Sequence, residues 1–422
     1  MKENRNSLLQ REGIRSVAAS LLSILVGLLV GSLLIFIVAL SSSNLNLQSA
    51  WEGIQLIFAG LFSTGRAAAG GLTFGFNPVN IGNMLFRAMP LILTGLSVAV
   101  AFKTGLFNIG ASGQYLAGTA ATLFIALLIP AGALPKWLIW LLAFLGGMLA
   151  GAAWGAIPGL LKALLNINEV IACIMTNWIF EESNLKNIVE NTKSSYIYTT
   201  MYALTEVDGQ MVYVDGNGIA TAKLGLDKIF PGSQVNAGIL VAVLLAVVVY
   251  ILLNKTTFGF ELRACGANRH AARYAGIKDK RNIVLSMAIA GALAGVAGSL
   301  YYLSGNTEFY WNTYQTLPTA GFNGIAVALL AVNNPLAVIF SGLFMSTLSI
   351  SGLQLTNLTA FNEYITDVVI AVIVYFAAFS LVIKLWLGGR HKSQKAVPAE
   401  ASGAGITPAA ESGQENGKEA QG

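Results

Sequence analysis

Residues 17–40 read VAASLLSILVGLLVGSLLIFIVAL, a run without one charged side chain. As a helix it is about 36 Å long, enough to cross a hydrocarbon core about 30 Å thick. Lys2, Arg5, Arg11 and Arg15 precede it, which is the layout of a secretory signal. The apolar run is too long for one, however, and lacks a small-residue cleavage site, so it reads as an uncleaved first span. Runs of similar character follow near 79–101, 109–129, 137–158, 168–190, 236–253, 281–303, 319–332, 334–352 and 363–387. The expected fold is therefore all-α: a polytopic membrane helical bundle of about ten transmembrane helices. Segment 51–62 is short and amphipathic and is expected at the membrane interface. Asn333-Asn334-Pro335 breaks the pair 319–332 and 334–352, which is either two crossings or one re-entrant hairpin.

Composition agrees. Charged residues make up 11% of the 422 positions and hydrophobic ones 55%, whereas a water-soluble domain carries about 25% charge to cover its surface. Forty-five glycines in such a chain suit closely packed membrane helices. Gly147, Gly151, Gly155 and Gly159 recur at every fourth position, as do Gly27 with Gly31 and Gly291 with Gly295. Each set makes a groove in which another backbone can lie. The net charge of +5 calls for no nucleic acid, because the Lys and Arg residues sort by membrane side. Seven fall between Asn254 and Arg281, and Arg390, Lys392 and Lys395 follow the last span. The loop 191–235 has only Lys193, Lys223 and Lys228, against Glu206, Asp208, Asp215 and Asp227. The bias places both termini in the cytosol. It divides the chain into a cytosolic segment 1–17, a transmembrane domain 18–387 with a cytosolic loop 254–281 and an extracytoplasmic loop 191–235, and a tail 388–422. The tail is rich in Ala, Gly, Ser, Glu and Gln and is expected to be disordered and cytosolic.

Chemistry is sparse. Cys173 lies in an apolar stretch and Cys265 in the basic loop, so no disulfide is expected between them. His270 and His391 belong to no metal-binding spacing. No nucleophile–base constellation supports a membrane-embedded enzyme.

Three stretches carry more polar residues than a lipid-facing helix tolerates. They are LTGLSVAVAFKTGLFNIGASGQYLAG (Leu93–Gly118), NINEVIACIMTNWIFEES (Asn166–Ser183) and GFNGIAVALLAVNNPLAVIFSG (Gly321–Gly342). From them Asn108, Gln114, Asn177 and Asn323 are expected to face a central path or to pack on one another. Glu181 and Glu182 fall near mid-membrane depth, so either their helix lines water or the span boundaries are off by about a turn. The cytosolic loop reads TTFGFELRACGANRHAARYAGIKDK (Thr256–Lys280). Asn268 can cap a short helix running to Tyr274 and Gly276 can end it. That capped helix suggests a docking element for a cytosolic protein.

GLFNIGASGQ (Gly105–Gln114), NEVIACIMTNWI (Asn168–Ile179), FGFELRACGANRHAARYAGI (Phe258–Ile277) and GFNGIAVALLA (Gly321–Ala331) together resemble the inner-membrane permeases of bacterial nucleoside and simple-sugar ABC importers. The resemblance runs from about Ala18 to Leu387 and is closer to the nucleoside branch. One departure is Ser112, where many members of that family carry an acidic residue. The resemblance implies a multi-pass permease of the bacterial cytoplasmic membrane that translocates nucleosides. It also implies three partners: a second, paralogous permease, a cytosolic ABC ATPase and an extracytoplasmic substrate-binding protein. The ATPase would couple through Glu261, Arg263, Gly266, Asn268, Arg269, Ala271, Ala272 and Gly276. ATP and Mg would be bound by that partner, with no cofactor in this chain. The alternatives are a permease for a simple sugar such as ribose or galactose, or an ion-coupled secondary transporter using Glu169, Glu181, Glu182 or Asp367.

The chain has no G-x-x-x-x-G-K-[ST] phosphate loop, so purified protein alone is expected to hydrolyse no ATP and to accumulate no solute. Robust ATPase activity from the single chain in liposomes would overturn that expectation.

Overall fold

A computed structural model of the chain describes residues 12–42, 45–68, 70–129, 132–181, 197–198, 202–207, 210–215, 218–307, 309–310, 317–379, 382–383 and 385. Helix α1 spans Glu12–Ser41 and α2 spans Leu47–Ala59; a hairpin of β1 (Ser63–Arg66) and β2 (Leu72–Phe74) follows. Then come α3 (Pro78–Lys103), α4 (Ala111–Leu128), α5 (Lys136–Leu165) and α6 (Glu169–Glu181). Next are the short strands β3 (Ile197–Tyr198), β4 (Tyr202–Val207) and β5 (Gln210–Asp215), and a single turn, α7 (Leu226–Ile229). The chain continues as α8 (Gly238–Lys255), α9 (Thr257–Ala267), α10 (Arg269–Tyr274) and α11 (Asp279–Tyr302). Strand β6 (Phe309–Tyr310), α12 (Thr319–Leu330), α13 (Pro335–Leu358) and α14 (Glu363–Ala378) complete it.

Local chemistry sets many of these boundaries. Asn77 Oδ1 accepts from Asn80 N and Asn334 Oδ1 accepts from Leu336 N, each just ahead of a proline at the first helical position. That combination starts α3 and α13. Asn166, at φ 54°, ends α5 in the left-handed conformation, which asparagine tolerates better than most residues. Val332 and Asn333 both have positive φ, 50° and 55°, so the break expected at Asn333-Asn334-Pro335 is a tight reversal between α12 and α13.

Among the described residues six helices are long and apolar enough to cross a membrane: Leu21–Ser41 within α1, then α3, α5, α8, α11 and α13. The fold is thus a polytopic helical bundle, in which the expected spans 109–129 and 319–332 are shorter helices than the sequence reading placed them. The 168–190 span is helical only to Glu181, where its described part ends, and 319–332 is the 12-residue α12. At about 1.5 Å per residue α12 covers about 18 Å, short of the hydrocarbon core. The spans at 109–129 and 363–387 are α4, of 18 residues, and α14, of 16. The fold is also not purely helical. Antiparallel pairs β1–β2, β3–β6 and β4–β5 decorate it, the last within the loop 191–235, where YALTEV and QMVYVD are rich in residues suited to strands. The amphipathic segment 51–62 is not merely interfacial either. As α2 it buries Leu56 and Ile57 and brings Gly53 within reach of Ile35 and Phe361.

Helix packing rests on the glycines. A Cβ on Gly151 would lie 2.8 Å from Gly295 Cα, and one on Gly155 would lie 2.9 Å from Gly291 Cα, so α5 and α11 touch backbone to backbone. Gly118 of α4 meets the same Gly295, where a Cβ would fall 2.9 Å from its carbonyl carbon. Helices α3 and α11 run antiparallel through the centre. Phe86 stacks on Tyr301 at one end, and Thr104 Oγ1 lies 2.7 Å from Ser286 Oγ at the other.

These contacts reveal an internal inverted repeat. Gly118 and Gly147 of α4 and α5 pack on α11, and correspondingly Gly324 and Gly342 of α12 and α13 pack on Thr94 and Ile92 of α3. The fourth helices open alike, with Asn168-Glu169-Val170-Ile171 at α6 and Asn362-Glu363-Tyr364-Ile365 at α14. Each half, α3–α6 and α11–α14, therefore gives its first helix to the groove of the other.

A Gly295→Val substitution should lower the detergent melting temperature sharply, at a cost of at least about 2 kcal/mol of overpacking. Gly71→Val, where a Cβ would meet nothing within 4 Å, should leave it nearly unchanged. Equal melting temperatures for the two variants would refute the three-helix contact.

Candidate functional site

Polar side chains in a bundle core must satisfy one another, and here they do so at the turn between α3 and α4. Gly105 takes φ +73° and reverses the chain. Leu106 N then donates to Ala101 O at 3.0 Å, which tucks Asn108 under the end of α3. Asn108 Nδ2 donates to Gln114 Oε1 at 2.8 Å, and Gln114 Nε2 donates back to Asn108 Oδ1 at 3.0 Å. This reciprocal amide pair is fully buried. Asn108 also donates to Ser97 Oγ at 3.1 Å and accepts from Gly110 N at 3.2 Å. Cys173 of α6 closes one side, with Sγ 3.8 Å from Asn108 Oδ1.

Asn177, one turn further along α6, holds the start of α4. Its Oδ1 accepts from Gly113 N at 3.1 Å and its Nδ2 donates to Ile109 O at 3.2 Å. Gly113 N is one of the first amide groups of α4, which have no partner within their own helix; a neighbouring helix supplies the cap. Side chains at Gly110 or Gly113 would intrude on this arrangement, since a Cβ on Gly110 would sit 3.1 Å from both Cys173 Sγ and Gln114 Nε2. Ser112 Oγ donates to Pro318 O at 3.0 Å. An ionised carboxylate in its place could only oppose that carbonyl, so the serine suits the path the chain takes here.

Three of the four residues expected to line a path are thus gathered: Asn108, Gln114 and Asn177. Asn323 is not. It stands exposed on α12 beside exposed Phe322, while Gly321 and Gly324 of that helix pack inward on Ser112 and Thr94. The register of α12 puts the glycines on the bundle side and turns Asn323 out. Sequence reasoning missed Ser97 and Cys173 as members of the cluster. Of the acidic residues weighed for ion coupling, Glu169 is held by Lys162 at 2.9 Å, and Asp367 is exposed on α14. The Glu181 side chain and all of Glu182 lie outside the described residues.

The second element is the elbow α9–α10. Thr256 Oγ1 accepts from Gly259 N to start α9, and Asn268 Oδ1 accepts from Ala271 N at 3.0 Å to start α10. Gly276 takes φ +82° just beyond α10. The expected helix, cap and terminator are all present. The side chains are disposed differently from the expectation. Arg269 Nε and Arg273 Nη2 both bind Asp279 Oδ2, at 2.7 and 2.8 Å, so they are tied within the chain rather than free for a partner. The Asp279 hydrogen bond raises the Arg273 pKa further above its ordinary value. Glu261 likewise accepts from Asn282 Nδ2 at 3.0 Å, with Arg281 3.6 Å away. Ala272 is only 4% exposed and faces its own bundle. Gly266 is itself exposed, but the position a side chain would take faces the bundle, 2.9 Å from Gly105 N. Arg263 and Ala271 remain on the open face. So do two aromatics that the sequence reading passed over, Tyr274 at 94% and Phe260 at 61% exposure. Cys265 of α9 is buried, which pushes its thiol pKa up.

Residues 80–378 match the family described as the permease component of branched-chain amino acid transport systems. The chain is 33% identical to the guanosine ABC transporter permease protein NupP of Bacillus subtilis, over 88% of this chain and 96% of that protein. It is 35% identical to the nucleoside ABC transporter permease protein NupB of Lactococcus lactis, over 75% of this chain and 88% of that one. A glucose ABC transporter permease protein, TsgB13 of Haloferax volcanii, is 30% identical over 76% and 82% of the two chains. The first two organisms each hold a second, more distant relative, NupQ and NupC, both 25% identical over 64% of this chain.

Changing Asn108 to Leu should strand the Gln114 amide in the core and cost about 1–3 kcal/mol, whereas the double change Asn108→Leu with Gln114→Leu should cost less than the sum of the singles. Thermal unfolding of the four proteins measures the coupling, and additive losses would deny the pair.

Proposed function

The chain belongs to the permease-component family of branched-chain amino acid transport systems, and from that membership we propose that it is the membrane-spanning permease subunit of an ATP-driven ABC importer for nucleosides. The observation that carries the substrate class is identity of 33–35% with two nucleoside-named permeases, covering 96% and 88% of their lengths. The protein is a multi-pass membrane protein and a translocation subunit, not an enzyme. ATP hydrolysis resides in a separate subunit, which would hold ATP and Mg.

In this reading about ten helical segments, the short α12 among them, lie in the bacterial cytoplasmic membrane with both termini, including the tail 388–422, in the cytosol. The Lys/Arg bias supports that orientation. The second permease is a paralogue, as the two relatives in each of two organisms suggest. Asn323 supports the same partner. An exposed asparagine on an apolar helix is costly against lipid, and a facing permease or a watered path between two permeases would satisfy it. Asn108, Gln114 and Asn177 then form the closed, self-satisfied lining of that path near its cytosolic end. The loop 191–235 lies on the side of the substrate-binding protein.

The elbow within 254–281 receives the ATPase. Its docking surface is Ala271, Arg263, Phe260 and Tyr274; the last combines a large contact area with little side-chain entropy to lose. Glu261, Asn268, Arg269, Ala272 and Gly276 shape the elbow from behind. A sugar substrate is the second reading, favoured by the glucose-named relative at 30% identity. Ion coupling is less well served, since Glu169 is engaged by Lys162.

Cells carrying the complete system should take up labelled guanosine with the membrane potential collapsed and should stop when ATP is depleted. Excess ribose or galactose should not compete. The reverse energetic pattern would point to a secondary transporter, and competition by the sugars would move the substrate class. Within the same system Ala271→Trp and Tyr274→Ala should each cut co-purification of the ATPase and uptake about tenfold or more, a loss of about 1.4 kcal/mol or more. Unchanged values in both would remove the docking surface.

A further inference from the structure

The elbow and the buried amide pair are separate features of the sequence, about 150 positions apart, yet they meet at one point. A Cβ on Gly266 would overlap Lys103 O and would sit 2.9 Å from both Gly105 N and Thr104 C. Seen from the other side, a Cβ on Gly105 would lie 3.1 Å from Gly266 Cα. Two main chains are in contact there with no side chain between them. Three residues beyond Gly105 stands Asn108.

Both sides of the contact are stiff. On the elbow side, the Arg269–Asp279 and Arg273–Asp279 pairs fasten α10 to the first residue of α11. Asn282 and Arg281 of α11 fasten Glu261 of α9. On the other side, Thr104 Oγ1 bonds Ser286 Oγ in the core. Leu106 packs with Ala101, Cys173 and Met287 in one buried cluster. Close-packed groups of this kind have low compressibility and pass a displacement on rather than absorbing it. A flexible side chain at the junction would take up part of any movement by changing rotamer; glycine against glycine cannot.

We propose, resting on the ABC permease reading, that Gly266 is a positioning residue. Through its backbone contact with Lys103–Gly105, displacement of the elbow by the ATPase moves the 104–110 turn and so opens the Asn108–Gln114 pair. Gly266 is therefore a relay and not part of the surface the ATPase grips. Its distinctive requirement is the absence of a side chain, which an ordinary docking residue would not have.

The test uses the full complex of this chain with its partner permease, ATPase and binding protein in lipid nanodiscs and proteoliposomes. Gly266→Ala should still co-purify with the ATPase, while guanosine imported per ATP hydrolysed falls about tenfold, the scale of a coupling free energy of 1–3 kcal/mol. An unchanged ratio would overturn the relay. Loss of ATPase co-purification would overturn it equally, by making Gly266 a docking residue. A second measurement needs no substitution and no substrate. In the native complex, trapping the ATPase with ATP and vanadate should alter amide hydrogen exchange in 258–276 and in 100–115 together. A change confined to 258–276 would refute the relay. Absence of guanosine uptake by the native complex would count against the substrate class alone, because the exchange measurement on that complex still decides the relay.

Discussion

The packing of this bundle depends on a single crowded point, where α4 and α5 both press on Gly295 of α11. Lipid supplies no hydrophobic force to drive one helix against another, since its tails are as apolar as the side chains. What remains is van der Waals contact, and that falls off within an ångström or so. Removing the side chains from one stripe of α5 and one of α11 brings backbones together and recovers the contact. The larger side chains then point outward or into the spaces between helices. Where the stripe ends, at Gly159, the neighbouring Met287 and Val284 fill in.

That close packing determines where polarity can be kept. With the helices pressed together, buried polar groups have no water to turn to and must find each other. Asn108, Gln114, Asn177, Ser97 and Ser112 do so at one end of α4, and Thr104 with Ser286 does so beside them. The arrangement is a buried, mutually bonded cluster. The Asn108–Gln114, Asn108–Ser97, Asn177–Gly113 and Ser112–Pro318 bonds would each have to exchange partners for the cluster to open.

The sequence was most informative where a structural requirement is local. The Asn268 cap, the Gly276 terminator and the reversal at Asn333-Asn334-Pro335 depend on residues within four positions of each other, and all three stand as read. It was least informative where the requirement is a neighbour's. Arg269 and Arg273 look free until Asp279 folds back beside them. Ala272 looks like surface on a small helix yet is buried, and exposed Gly266 points its Cβ position at the main chain of Lys103–Gly105. Asn323 resembles Asn108 in composition and setting, but the register of α12 turns it the other way. The inverted repeat left a trace in the two N-E-x-I openings. Four residues are too few to be recognised until the packing of α3 and α11 shows that the halves correspond.

The exchange of first helices between the halves has a consequence for synthesis. Helix α3 is buried over 83% of its most apolar window, largely by α11, α12 and α13, which are made much later. Gln354 must reach back 274 positions to donate to Asn80. At a translation rate of about 5–20 residues per second, α3 waits roughly 14–55 s in the membrane before those partners emerge. During that interval Asn80 and Thr94 lack the contacts that Gln354 and Ala320 later make with them. Newly made chains thus have a window in which the insertion machinery, a chaperone or a degradative protease can reach α3, and it closes when α13 arrives.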